Sequence, residues 1–183
     1  MKKISFLLLI ISFAASAYSF KSYSVLTRGM IKDNSTGLFW TRCPLAANNK
    51  PVYDFNCNSE FKAFTWTEAI DACNNLVYEG RSNWRLPNIK ELSSILQHRH
   101  YSEFENCSQI NDDVFPGIIK EGDCFNFFSE IHYWSSTPHK NYTVDDKNWW
   151  FIDFKFGTIG FSSEIHGFFG FPIKKFVRCV AGP

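Results

Sequence analysis

Asn83-Trp84-Arg85-Leu86-Pro87-Asn88-Ile89-Lys90-Glu91-Leu92 is the stretch that decides how this chain folds. Pro87 fixes its own φ and biases Leu86 away from the helical region, so residues 84–87 are expected to be extended. Asn88 then reads as a helix N-cap, and Glu91 three residues later completes a capping-box pattern. Ile89, Leu92, Ile95 and Leu96 follow at helical spacing, so a helix is expected from about 89 to 98 with one apolar stripe to bury. Just upstream, Thr65-Trp66-Thr67-Glu68 is a second capping box, and Trp66, Ala69, Ile70, Cys73 and Leu76 share a face. That helix is expected over about 66–78, with Gly80 as its stop signal. The two helices and the extended segment between them form a hub. In it Trp84, Arg85, Leu86, Pro87 and Glu91 are structural: Glu91 caps a helix, and Arg85 pairs or stacks inside.

The chain begins Met1-Lys2-Lys3, runs from Ile4 to Phe13 almost without polar residues, and continues Ala14-Ala15-Ser16-Ala17. A basic start, an apolar stretch and an Ala-x-Ala end read as a secretory signal peptide over residues 1–17, cut before Tyr18. The stretch is too short to span a bilayer, and no later segment reaches roughly 18 uninterrupted apolar residues. The remaining 18–183, about 165 residues, suit one domain with a real core. An exported protein is expected, whether secreted, periplasmic or held at the cell surface. Of the 19 Lys and Arg residues two fall in the leader, against 18 Asp and Glu, so the mature chain is near neutral. A nucleic-acid binder would be far more basic, and that class is set aside. Twenty Phe, seven Tyr and six Trp exceed what one small core readily hides, so aromatic surface patches are expected.

Six cysteines in an exported chain argue for three disulfides, with 15 pairings open to sequence alone. Spacing favours Cys43–Cys57 and Cys107–Cys124 as local staples, which leaves Cys73 for Cys179. The competing reading is a metal site, but there is no CxxC pair and no close Cys-His spacing.

Residues 22–33 read as one strand, Asn34-Ser35-Thr36-Gly37 as a turn, and Leu38-Phe39-Trp40-Thr41 as the second strand of a hairpin. Residues 44–62 read as a loop held by the first staple. The connection 101–131 sustains no period, and so long an irregular stretch is often functional. Tyr133-Trp134-Ser135-Ser136-Thr137 reads as a strand, followed by a polar loop from Pro138 to Lys147. In 149–156, Trp150, Ile152, Phe154 and Phe156 alternate with Trp149, Phe151, Asp153 and Lys155. The first set is expected in the core. The second leaves Trp149 and Phe151 either covered by another element or offered to a ligand. Gly157-Thr158 turns the chain into a strand from Ile159 to Ser163, and a last strand over 174–180 puts Val177 and Cys179 on one face.

Asp33-x-x-Thr36-Gly37-Leu38-x-Trp40 comes first, then Trp66-x-Glu68-Ala69 with Cys73, then Asn83-Trp84-Arg85-Leu86-Pro87 with Glu91-Leu92. Tyr133-Trp134-Ser135-Ser136-Thr137, a Phe-x-x-Gly turn ending at Gly157, and Val177-Arg178-Cys179-Val180 complete the set. In this order the pieces resemble the Lcl C-terminal domain family, long described as a domain of unknown function. The resemblance implies an α+β, C-type-lectin-like fold: a twisted antiparallel sheet, two helices and long loops, stapled by disulfides. It is similar in this to formylglycine-generating enzymes, whose Arg-Leu-Pro-x-x-x-Glu signature resembles Arg85 to Glu91. In lectin-like folds a helix cysteine bridges to the last strand, which implies Cys73–Cys179 a second time. The family's named member is a bacterial surface adhesin that binds sulphated polysaccharides through this domain. This chain departs from it in lacking a collagen-like Gly-x-y repeat and in its near-neutral charge.

His98-x-His100 lies two residues apart and so does not share a helical face, which disfavours metal ligation. Asp112-Asp113 and Asp145-Asp146 read as solvated turn residues, and the acidic ligand sets of calcium-dependent lectins do not occur. No cofactor is expected. There is no Gly-x-Ser-x-Gly turn, and no free thiol is expected beside a histidine. Oxidase chemistry of the formylglycine-generating kind would need reactive cysteines, whereas all six are expected to be oxidised. What remains is a binding surface. His139, Lys140, Asn141 and Tyr142, with Lys147, Asn148 and Trp149, combine rings, amides and cations suited to a sugar bearing sulphate or carboxylate. The expectation is a non-catalytic domain recognising a polysaccharide or a host-surface ligand. The alternative is an envelope module that binds another protein through the same loops.

Overall fold

In the computed structural model both capping boxes form as their spacing predicts. The structure describes residues 22–54, 56–58, 60–97, 108–116, 131–140, 147–163 and 171–183. The chain runs β1 (Tyr23–Val25), β2 (Met30–Asp33), β3 (Phe39–Thr41), α1 (Trp66–Asn74), β4 (Trp84–Arg85) and α2 (Ile89–Ser94), then β5 (His132–Pro138), β6 (Asn148–Asp153), β7 (Thr158–Ser163) and β8 (Val180–Ala181). The fold is α+β. Residues 1–17, the Cys107–Cys124 pair and the two histidines 98 and 100 lie outside the described residues, as does most of the 101–131 connection.

Thr65 caps α1 and Asn88 caps α2, each reciprocated by the glutamate three residues on. Both helices stop earlier than their apolar spacing predicts. The Asn75 N–H turns back to the carbonyls of Asp71 and Cys73, and its side-chain amide donates to Asp71 at 2.9 Å. Leu76 is still buried, but beyond the helix. Gly80 is not the stop signal. It pairs with Glu79 in a two-residue turn with φ of 50° and 72°, closed by two backbone hydrogen bonds between Tyr78 and Arg81. Two consecutive left-handed residues define a hairpin turn of the primed type, where glycine costs nothing. In α2 the hydroxyls of Ser93 and Ser94 donate to the carbonyls of Ile89 and Glu91, competing with continuation of the helix.

The first sheet has the order β1-β2-β3-β8-β4 and is antiparallel throughout. The single strand expected over 22–33 is therefore two. The chain doubles back at 26–29, where the N–H groups of Leu26 and Thr27 donate to the Met30 carbonyl and the Thr27 hydroxyl accepts from Gly29 and Met30. The strand expected over 174–180 is also corrected. Only Val180–Ala181 joins the ladder; Lys175 bridges Phe64, and Phe176 bridges Tyr133 in parallel. Each residue meets a different neighbour, so no single ladder can extend along the segment.

The second sheet is the meander β5-β6-β7, and a helix packs on each face of it against β5 and β6. On one face Trp134 and Trp149 join a cluster with Ala69, Ala72 and Cys73 of α1. There Trp66 stacks flat on Trp149 with ring centroids 3.4 Å apart. On the other face Tyr133 and Ile152 join Leu92 of α2 and Ile95. Two indole N–H groups lock the layers, Trp66 donating to Ser135 O and Trp134 to Phe64 O, both at 2.8 Å.

Cys73–Cys179 crosslinks α1 to the residue before β8, and Cys43–Cys57 closes the loop after β3; both have Cα atoms 5.6 Å apart. No helix among the described residues is long and apolar enough to cross a membrane. In the hub the Arg85 guanidinium donates twice to the Glu91 carboxylate, at 2.7 and 2.6 Å, while the Asn88 N–H donates to Glu91 Oε2 at 2.9 Å. Burial alone would raise the Glu91 carboxyl, but the bonds from Arg85 and Asn88 outweigh it and hold the group below its ordinary pKa.

Replacing Cys73 and Cys179 together by serine should lower the unfolding free energy in urea by about 4 to 5 kcal/mol, the value for a loop of about 100 residues. The same change at Cys43 and Cys57 should cost about 3 kcal/mol. A carboxyl held low in the folded state contributes stability above its unfolded pKa and loses it as pH falls through the folded one. Asp153 acts in the same direction: burial raises it, but His132 and the N–H groups of Lys155 and Phe156 bring it below its ordinary value. Acid titration should therefore destabilise the protein from about pH 4.5 downward, and Glu91→Gln should make that limb shallower. An unchanged acid limb in Glu91→Gln would mean that the pair contributes nothing.

Candidate binding surface

β5 and β6 part where the His139 N–H donates to the Asn148 carbonyl at 2.8 Å, so the polar loop of the sequence begins beyond that bond. Asn141 and Tyr142 lie outside the described residues. Of the other residues singled out for ligand contact, Lys140 and Lys147 are exposed at the mouth of the loop. His139, Asn148 and Trp149 are buried. Trp149 is covered by Trp66, and its ring has no open face of the kind a ligand platform needs.

The ring that does face outward is on the next strand. Register pairs Trp150 with Phe161, and Phe151 with Gly160. On the first of these faces Trp150 is half-buried and Phe161 is 49% exposed, their centroids 5.7 Å apart in an edge-on arrangement. His139 lies flat against Phe161 at 3.8 Å and edge-on to Trp150 at 4.8 Å. Ile159, two residues before Phe161 on the same face, is also exposed. On the opposite face Gly160 leaves room for the Phe151 ring, which a Cβ there would meet at 2.5 Å, so a side chain would displace that ring. The result is an apolar strip at the outer edge of the meander, backed by a buried imidazole and flanked by two lysines. Sequence reading missed Phe161; the signal was its alternation with Ile159 opposite Trp150, legible once the two strands are paired in register.

Behind the other face lies a buried polar chain. Lys175 Nζ sits 3.9 Å from the Phe151 centroid and 4.9 Å from that of Trp134, and 3.4 Å from His132 Nδ1. His132 Nε2 is in turn 3.4 Å from Asp153 Oδ2. The cation is held by ring faces and the carboxylate by backbone N–H groups, an arrangement that stabilises charge in the interior. Asp112 accepts from the Ser108 hydroxyl at 2.9 Å. Among the described residues no three His, Cys, Asp or Glu side chains are grouped to hold a metal ion.

Compared with known families, the chain matches the Lcl C-terminal domain over residues 29–180. It belongs to that family. Comparison with curated proteins and with solved structures gives no match. The matched Lcl C-terminal domain runs from Gly29 to the first residue of β8, so it contains both helices, the Cys73–Cys179 crosslink and the Trp150–Phe161 pair. The aromatic strip is thus part of the domain itself.

Core and surface roles separate in a denaturation series. Trp149→Ala should cost about 3 to 5 kcal/mol, as expected for a buried indole. Phe161→Ala should cost less than about 1 kcal/mol, because half of its ring is already in solvent. Equal losses for the two would place Phe161 in the core.

Proposed function

We propose that this chain is an exported, non-catalytic binding domain of C-type-lectin-like arrangement, which takes glycans or other host-surface ligands on the Trp150–Phe161 strip. The observation that carries the reading is the half-exposed Phe161 ring, stacked on His139 and flanked by the exposed Lys140 and Lys147. A flat ring fits the C–H face of a pyranose, while ammonium groups beside it meet sulphate or carboxylate substituents. Burial of His139 between two rings fixes the platform before a ligand arrives, which lowers the ordering cost of binding. Export is supported by the two disulfides, a chemistry of oxidising compartments. The lectin-like arrangement is supported by a crosslink from the first helix to the residue before the last strand.

One feature favours the alternative of a protein partner. β7 ends the order β5-β6-β7, and its Ile159 and Phe161 side chains are exposed, as on a strand to which another strand is added. A glycan array and a pull-down from envelope and host-surface extracts separate the readings. Array binding that Phe161→Ala weakens by about tenfold or more, with Lys140→Ala/Lys147→Ala selectively losing acidic glycans, is the expected result. A single stoichiometric protein, captured by wild type and lost in Phe161→Ala, would favour the partner. Binding that Phe161→Ala leaves intact would remove the strip from both.

A further inference from the structure

α1 uses two of its faces. Trp66, Ala69, Ala72 and Cys73 pack into the core, while Glu68, Asp71 and Asn75, with Ala72 at the boundary between the two faces, line a cavity of about 380 Å³. The facing wall is the tip of the stapled loop. Leu45 bridges Pro51, the Ala46 N–H donates to Lys50 O, and Asn49 adopts a left-handed φ of 58°, so Asn48, Asn49 and Lys50 are thrust toward the helix. An adjoining cavity of about 510 Å³ shares Asn48, Lys50 and Val77 and extends the groove to Tyr53.

We propose that this groove is a second ligand site, separate from the Trp150–Phe161 strip, and that it takes a neutral sugar of one or two rings. The volume is in the range of small-ligand sites. At the helix end Lys50 and Lys62 stand against Glu68 and Asp71, and the adjoining cavity adds Asp54 and Glu79, so the groove carries no cationic surplus that would select an anionic ligand. Much of its polar chemistry is already committed. Glu68 Oε2 accepts from the Thr65 N–H, and Lys62 Nζ holds the Asn49 amide oxygen while lying over the Phe64 ring. Asn48 Oδ1 accepts from the Lys50 N–H at 3.0 Å, which leaves its amide N–H groups to donate. Across the groove, Asn75 spends an amide N–H on Asp71 O at 2.9 Å, which leaves its oxygen to accept. A donor on one wall and an acceptor on the other match a hydroxyl-bearing ring, since a hydroxyl does both.

The apolar end completes the fit. Tyr53 is 60% exposed and Val77 72% exposed, so both present apolar surface at this end of the groove. The edge of one tyrosine meets the face of the other where Tyr53 contacts Tyr78, centroids 6.4 Å apart. Tyr78 is itself fixed: its hydroxyl fills the space a Cβ at Gly29 would need, and its carbonyl accepts from the Trp84 indole at 3.1 Å. A supported ring at one end and amides at the other are the two elements of sugar recognition.

The site is tested by titrating the isotope-labelled full chain with methyl α-mannoside, methyl β-galactoside, N-acetylglucosamine and lactose, reading backbone amide shifts. The expected result is saturable shifts at Asn48, Asn75 and Val77 with at least one probe, unaffected by added salt. Asn48→Ala/Asn75→Ala should weaken that binding about tenfold or more, and Phe161→Ala should leave it unchanged. Both amides are exposed, and the variant should lose only about 1 kcal/mol for each of the Asn75–Asp71 and Asn48–Lys50 bonds, so it should remain folded. Cys43→Ser/Cys57→Ser, which frees the wall, should lose the groove shifts while ligands of the strip still bind. No shifts with any probe, shifts that survive Asn48→Ala/Asn75→Ala, or shifts clustered around Phe161 would each overturn the proposal. Only the last of these bears on the strip as well.

Discussion

Residues 175–181 are the constraint on which the rest of this protein depends. Within seven positions the chain touches nearly every other part of the described fold. Lys175 exchanges backbone hydrogen bonds with Phe64, and Phe176 ties to β5 through His132 and Trp134. The carbonyls of Val177 and Cys179 accept from Leu45 and Thr41, and β8 fills the gap between β3 and β4. Contacts this distant in sequence carry a large loop-closure cost, and a crosslink spanning 106 residues removes much of it from the unfolded state. At the centre sits Arg178, wholly buried, its guanidinium donating to the carbonyls of Thr41 and Arg42 between the rings of Phe115 and Tyr133. Burial, and to a smaller extent the neighbouring Arg42, pull its pKa down to about 10 while Tyr133 and Asp112 oppose them, so the group is still a cation at neutral pH.

Closing the molecule through its end has a consequence for where a ligand can go. In the meander β5 and β6 pack on one face against α1 and on the other against α2. Each face of β6 therefore carries both buried and partly exposed side chains, Trp149 with Phe151 on one and Ile152 with Trp150 on the other, and period-two reading alone does not separate a core face from a ligand face. What stays accessible is the far edge, β7, and the walls of loops. Phe161 is exposed for this reason: it stands one strand beyond Trp150, at the edge of the sheet.

Features fixed by neighbours in sequence were legible beforehand. Both capping boxes depend on pairs three residues apart, and the existence of β5 and β6 on local alternation, although β6 stops at Asp153 and leaves Phe156, expected in the core, 42% exposed. That Arg85 would pair was legible, but not that Glu91 is its partner. Features fixed by distant partners were not. The doubling-back that splits 22–33 contains Gly29, where the Tyr78 hydroxyl occupies the space of a Cβ, 1.8 Å from its ideal position. β8 is two residues long and exists because β3 and β4 flank it. Trp149 and Trp150 are adjacent and chemically identical. Which of them reaches the surface is decided by Trp66 on a helix more than 80 positions earlier. The aromatic surplus promised an exposed ring; it held no information on which ring.

The two accessible surfaces are built under different constraints, and this bears on how tightly each can bind. Phe161 is braced by an imidazole stacked against it and an indole beside it, so its orientation costs little to fix on binding. The wall of the α1 groove is held by hydrogen bonds, from the Ala46 N–H to Lys50 O and from Lys62 to the Asn49 amide oxygen. Asn48 and Asn49 are loop residues, and the left-handed φ of Asn49 is a conformation that a longer, untied segment would sample only in part. Cys43–Cys57 changes that balance. By closing a loop with a sequence separation of 14, with both cysteines and Val52 in a small apolar cluster of their own, it shortens the list of shapes available to the tip. The local staple therefore matters less for holding the domain together than for presenting amides at a fixed distance from α1. A crosslink that confines a wall acts on affinity through the free protein, by removing conformations that cannot bind.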